Sequence, residues 1–301
     1  MTRLQKSIIA SFLTVISAIS GFAQSGHTTR GGGNLEGTLL TVTASRTDGK
    51  TEAIKVENLS LYENGFEQKI RNFSFDPSPS KIVLLVDNSQ TVGADVEKLK
   101  KAVMEFAYEI FDGDQLFVLA YDEKAEIVQE WTDDAKKMEA SLSTFRKKGS
   151  PYLFDALNAS INEVLQPLMP GTRKVAIVVI GDGVDRGSKT TFQSVLGRLQ
   201  NDNITVYALQ MPDRTGGAFR RDQPKAAAVL TQLAEGTGGI LFPIEEAQTA
   251  AKAICDELRR NRYLLSYIPT NTSSYDIRRV FLTAPEGINI RTKTAQPPNV
   301  K

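Results

Sequence analysis

The chain has 301 residues, 41% hydrophobic, 24% charged and 8% aromatic, with 36 Lys and Arg against 35 Asp and Glu. This is globular composition with length enough for one large or two modest cores, and it excludes fibrous, collagen-like and wholly disordered chains. Balanced charge without a dense basic block argues against nucleic acid as a partner. The single Cys255 excludes an internal disulfide or a cysteine-held metal, and a lone His27 leaves a Ser/His/Asp triad without its usual base.

In chain order, the first residues read MTRLQKSIIASFLTVISAISGFAQ. Arg3 and Lys6 give a positive start, Ile8 to Ile19 a short apolar run, and Gly21-Phe22-Ala23 a small-residue cleavage site, the pattern of a signal peptide over residues 1–23. The run is shorter than the roughly 20 apolar residues a bilayer span needs, so no transmembrane anchor is expected. The mature protein is expected outside the cytoplasm, periplasmic or extracellular. Residues 24–34, with Gly31-Gly32-Gly33, read as a flexible linker.

Residues 35–75 alternate apolar and polar positions and carry Asp48-Gly49 and Asn64-Gly65 as hairpin signals, which predicts the N-terminal part of a small antiparallel β-module. Asp76-Pro77-Ser78-Pro79-Ser80 acts as a linker, after which the texture changes to continuous apolar runs. KIVLLVD (81–87), QLFVLAY (115–121), KVAIVVIGD (174–182) and ITVYALQ (204–210) have the look of strands buried on both faces of a parallel sheet. Helical periods separate them: Val96, Leu99, Val103, Phe106 and Ile110 form one stripe, and Leu153, Leu157, Ile161, Val164 and Leu168 another. Ala125 to Glu130 predicts a short antiparallel strand, AAAVLTQLAEGTGG a helix with a left-handed cap at Gly236, and Glu245 to Asn261 a last helix. Alternation returns in residues 263–294, whose strands are expected to complete the N-terminal β-module, since neither end alone holds enough strands for a stable sheet. The expected fold is therefore α/β. A Rossmann-like, doubly wound, mostly parallel sheet over residues 80–262 is inserted between two halves of an antiparallel β-module.

In such sheets the binding crevice lies at the carboxyl ends of the strands. The first strand ends Asp87-Asn88-Ser89-Gln90-Thr91 and a later one Gly181-Asp182-Gly183-Val184-Asp185. A carboxylate at each strand end, with two hydroxyls two residues apart, offers oxygen ligands to a small hard cation, and Mg²⁺ suits that set. Neither GxGxxG nor GxxxxGK[ST] occurs in place, so the backbone that cradles a nucleotide phosphate is missing.

DNSQT at 87–91 fits the DxSxS/T motif of von Willebrand factor type A domains, whose metal-ion-dependent adhesion site is assembled from three loops. GSPYLFDAL resembles the family's GGTxLYDAL segment, VVIGDGVD its strand ending in Thr-Asp-Gly or similar, and LAEGTGG its late helix and turn. The resemblance covers residues 80–262. With the flanking ENGFEQKIRNF and RYLLSYIPTN it extends to the bacterial secreted subgroup called VWFA-related domain proteins. It implies that Ser89 and Thr91 ligate Mg²⁺ (or Mn²⁺) directly and that Asp87 and Asp182 hold it through coordinated waters. The third loop departs from the pattern: Pro151 stands where the family has its metal-binding Thr, and Ser150 is the neighbouring oxygen that a shifted loop would offer. The implied function is a secreted, non-enzymatic adhesion module. A protein partner would complete the metal sphere with an Asp or Glu side chain.

Other readings of the same residues stand beside it. Asp87 and Asp182 also suit caps for the loops after their strands. Asp87 with a later GDGxxD is shared by haloacid-dehalogenase-like Mg²⁺ phosphohydrolases, although these use DxDx[TV] and position 89 is Ser. A metal-free scaffold acting through its β-module is the third. Asp185 reads as a solvated turn residue, Asp155 as an early-helix carboxylate, Tyr121 and Trp131 as packing residues, and Arg220-Arg221 and Arg259-Arg260 as exposed faces.

Overall fold

A computed structural model describes residues 37–298 apart from 51, 93–94, 146–148, 215–221 and 274. The signal-peptide and linker readings, His27 and Arg220-Arg221 lie outside the described residues. Four strands come first: β1 (Thr38–Arg46), β2 (Ser60–Glu63), β3 (Phe66–Gln68) and β4 (Ile70–Phe75). Then follow β5 (Lys81–Asp87), α1 (Val96–Glu109), β6 (Gln115–Tyr121), β7 (Ala125–Thr132), α2 (Ala135–Ser141), α3 (Leu153–Ala159), β8 (Val175–Gly181), α4 (Phe192–Asn201), β9 (Thr205–Gln210), α5 (Ala226–Thr237), β10 (Leu241–Pro243) and α6 (Ala247–Arg260). The chain closes with β11 (Arg262–Tyr267), β12 (Arg278–Thr283), β13 (Ile288–Thr292) and β14 (Ala295–Gln296). Among the described residues no helix is long and apolar enough to cross a membrane.

The four unalternated apolar strands, β5, β6, β8 and β9, form the centre of a six-stranded sheet in the order β10-β9-β8-β5-β6-β7, parallel except for β7. Both faces of these four are covered, which is why they need apolar residues at almost every position. Ile82, Leu84 and Val86 of β5 pack with Leu99, Val103 and Phe106 of α1 and with Ile254 and Leu258 of α6. Val83 and Leu85 pack on the other side with Leu157 of α3, Val195 of α4 and Leu233 of α5. Strand order runs outward in both directions from β5 and β8, and that switch point opens a crevice at their carboxyl ends.

Strands from both chain ends interleave in two further sheets, β13-β1-β11-β4 and β14-β12-β2-β3. β1 pairs antiparallel with β11 (Thr38 opposite Tyr267) and with β13, while β12 pairs with β2 (Phe281 opposite Tyr62). Their inner faces share one core of Leu40, Val42, Leu61, Leu265, Val280 and Leu282. Neither half of the chain supplies this sandwich alone.

The segment between β4 and β5 is pinned at both ends. The Asp76 amide donates to the Arg262 carbonyl at 2.9 Å, buried Lys174 donates to the Asp76 carbonyl at 2.6 Å, and the Ser80 amide donates to Asp114 Oδ1 at 2.6 Å. Arg262, 2% exposed, donates to Thr43 of β1 at 3.1 Å and to Thr205 of β9 at 2.6 Å, and so joins the sandwich to the α/β sheet.

Three local expectations change. The left-handed cap of α5 is Gly238 (φ 85°), and Gly236 lies inside the helix. The stripe from Leu153 to Leu168 is not one α-helix: α3 widens into a π-helical turn at Ser160–Leu165 and tightens to a 3-10 turn at Gln166–Leu168. Pro167 has no amide to donate, and the Ser160 hydroxyl bonds back to the Ala156 carbonyl at 2.8 Å, a local competition that bends helices. The sequence reading placed nothing at α2, α4 or β10.

Candidate metal centre

β5 carries its apolar run straight into Asp87, whose side chain is fully buried. Its Oδ1 accepts from the Ser89 amide at 2.8 Å and its Oδ2 from the Tyr121 hydroxyl at 3.2 Å. The turn after Asn88 brings the Ser89 and Thr91 hydroxyls to 2.9 Å from one another. Asp182 follows β8, the neighbouring strand, and is also fully buried; its Oδ1 accepts from the Val184 amide at 2.9 Å. Its Oδ2 accepts no hydrogen bond of normal geometry, while the nearby Thr91 hydroxyl favours its charged form. Glycine is required at 181, since an added Cβ would come within 2.9 Å of Asp87 Cβ and 3.1 Å of the Tyr121 hydroxyl.

Burial, and then the charge of Asp182, push the Asp87 carboxyl up to about 7, against the pull of its bonds from Ser89 and Tyr121. Burial likewise raises Asp182, with the Asp213 carboxylate adding to the effect and the Val184 amide opposing it. Tyr121 is held well above its ordinary value, by burial first and by Asp87 next, so its hydroxyl stays protonated as a donor. No described Lys or Arg is ion-paired to Asp87 or Asp182. The pair carries surplus negative charge beside two hydroxyl oxygens, an oxygen set that fits a hard divalent cation. Among the described residues no cluster of three His, Cys, Asp or Glu side chains could hold a metal, so hydroxyls are needed to complete this set.

The third loop contributes backbone. The Gly149 carbonyl accepts from the Gln90 amide at 3.1 Å, which sets the loop against the Asp87 turn. Ser150 is partly exposed, and its amide lies 3.5 Å from Glu123 Oε1. Pro151 is buried, and its carbonyl accepts from the Arg186 amide at 2.8 Å. Hydrogen bonding thus brings Asp87, Ser89 and Thr91 together with Asp182 beside them, while Ser150 is directed to Glu123 through its amide.

One expectation is corrected here and another extended. Asp185 is 2% exposed, not a solvated turn residue: its carboxylate accepts from the Phe154 amide at 3.2 Å and from the Ser188 hydroxyl, capping α3 from a distant loop. Tyr121 packs as expected, but its hydroxyl also reaches Asp87. Asp155 accepts from the Lys189 and Thr190 amides at 2.9 and 2.8 Å. Burial would raise it, yet the bonds from Thr190 and Lys189 prevail and hold it below the ordinary carboxylate range. Asp213 was missed, although it follows β9 by the same strand-end rule that found Asp87 and Asp182.

The family model of the von Willebrand factor type A domain matches residues 81–254. The chain belongs to this family. The match spans all six strands of the central sheet and its helices from α1 into α6. Similar solved structures include an aerotolerance-related membrane protein from Bacteroides fragilis, with 19% identity over 60% of this chain and 99% of that one, TM-score 0.45. A von Willebrand factor type A protein from Catenulispora acidiphila shows 11% identity over 79% and 73%, TM-score 0.48. Proximal thread matrix protein 1 from the mussel byssus, with a zinc-occupied MIDAS motif, shows 12% over 65% and 49%, TM-score 0.47. No curated protein matches the chain.

Proposed function

We propose that the protein is a secreted, non-enzymatic binding module whose type A domain holds Mg²⁺, or Mn²⁺, at its loop face and uses it to bind a protein partner. The observation that carries this reading is the pair of fully buried carboxylates, Asp87 and Asp182, facing two adjoining hydroxyls with no ion-paired Lys or Arg among the described residues. Ser89 and Thr91 would hold the ion directly, and Asp87 and Asp182 would hold it chiefly through water. The bound ion supplies Lewis acidity toward an incoming oxygen ligand. Few direct carboxylate ligands leave it electrophilic, so an Asp or Glu of the partner completes the sphere. Tyr121 keeps Asp87 oriented, and the Gly149 carbonyl fixes the first loop through Gln90. The interleaved sandwich anchors the domain and presents the loops away from the junction. The basic, apolar and small-residue order of residues 1–23 supports export to the periplasm or beyond.

Calorimetric titration of the protein with MgCl₂ and MnCl₂, beside Asp87→Ala, tests the reading. Saturable heat that vanishes in the variant is expected. The absence of any saturable heat at millimolar metal would contradict it and transfer attention to the sandwich as the binding surface.

A further inference from the structure

The two edges of the central sheet differ. β10 is three residues long and ends in Pro243, a combination that blocks further strand pairing. β7 is eight residues long, contains no proline or lysine, and has no strand paired to its outer side among the described residues. Residue Ile127 of β7 is 60% exposed, whereas its cross-strand partner Leu119 is 3% exposed. The end of α3 leaves a gap over this strand at Ile127.

The gap is a groove of about 210 Å³. Its floor is Phe117 and Leu119, one wall is Ala159 and Val164 at the end of α3 and in the π-helical turn, and the other is Ile127. Glu163 stands on the helical rim and Glu130 on the strand rim; both are exposed, and neither is ion-paired among the described residues. An apolar floor under two free carboxylates matches a side chain with an aliphatic stem and a cationic head. The open strand beside it offers backbone groups to an extended chain.

We propose that an extended segment of a partner protein adds to the free edge of β7, with a Lys or Arg side chain whose stem fills the groove and whose cation meets Glu130 and Glu163. This contact uses no metal and lies on the sheet edge rather than at the strand ends.

Trp131, the only tryptophan, reports on it: its ring sits edge-on to Phe117 of the groove floor at 5.2 Å between centroids. The experiment titrates the full chain, in excess EDTA, with an eight-residue peptide alternating valine and arginine and follows Trp131 fluorescence. Controls are the valine–glutamate peptide and a valine–arginine peptide with central prolines. Saturable binding of the first peptide is expected, with each control weaker by about tenfold or more. The double variant Glu130→Gln/Glu163→Gln, at exposed positions and with unchanged thermal unfolding, should weaken it by a similar factor. No saturable change up to about 1 mM peptide, which is about −4 kcal/mol of binding, would overturn the proposal. Undiminished binding to the double variant would overturn the acidic rim, and undiminished binding of the proline peptide would overturn strand addition.

Discussion

Glu63 in the β-sandwich and Asp87 at the loop face of the type A domain are both fully buried, yet their surroundings have opposite charge balance. Glu63 accepts from the Arg278 guanidinium at 2.8 Å, from the Thr272 hydroxyl at 2.9 Å and from the Tyr267 hydroxyl, and Arg278 itself is 2% exposed. At the junction Glu257 is treated alike, bonded by Thr43, Tyr207 and Arg291. Asp87 is bonded by uncharged groups, the Ser89 amide and hydroxyl and the Tyr121 phenol, and its nearest charge of consequence is another carboxylate, Asp182. At Glu63 and Glu257 the chain supplies the matching cation from a distant strand. To Asp87 and Asp182 no ion-paired cation is supplied among the described residues, a surplus that the proposed external cation would balance.

Breaking one member of each cluster should separate the two cases. The largest loss is expected from Glu63→Ala, which strands a buried guanidinium and should cost about 3–5 kcal/mol in urea unfolding. Asp87→Asn should behave in the opposite sense. Without metal it relieves like-charge burial, so the protein should be no less stable and should gain about 1 kcal/mol or more at neutral pH.

The pH dependence sharpens the contrast. Unfolded Asp ionises near pH 4, whereas folded Asp87 keeps its proton to about 7, so in that window the native state binds more protons. The metal-free protein should therefore lose stability relative to Asp87→Asn as pH rises from about 4 to about 7, with a constant difference above it. Paired denaturation curves across that range check this, and a difference that grows in favour of wild type would contradict it. The smallest effect belongs to the third loop. Pro151→Thr, which adds a hydroxyl where the loop presents only backbone, should tighten Mg²⁺ by less than about tenfold, or about 1 kcal/mol, in calorimetry.

The sheet was legible because β5, β6, β8 and β9 are buried on both faces, and continuous aliphatic runs of that length have few other uses. Asp87, Ser89, Thr91 and Asp182 were legible because they sit at strand ends on either side of the switch point, where sequence position alone fixes spatial position. What escaped depends on contacts between distant segments. Asp185 looks like a turn residue until the Phe154 amide, 31 positions away, is placed against it. The phenol of Tyr121 meets Asp87 only because β5 and β6 pair in register. The π-helical turn hides inside a stripe of correct helical period, since periodicity records which face is apolar and not which carbonyl each amide chooses. α4 was missed because Gly197 and a mostly polar outer face blur its pattern.

The central claim, that the loop-face carboxylates await an external cation, is tested most directly by thermal unfolding of wild type and Asp182→Asn at pH 7.5, in EDTA and in Mg²⁺. A ligand that binds only the native state raises Tm as its concentration passes Kd. The account predicts that Mg²⁺ raises the Tm of the wild type and leaves that of Asp182→Asn unchanged. An unchanged wild-type Tm at millimolar Mg²⁺, or an equal rise in both proteins, would contradict it.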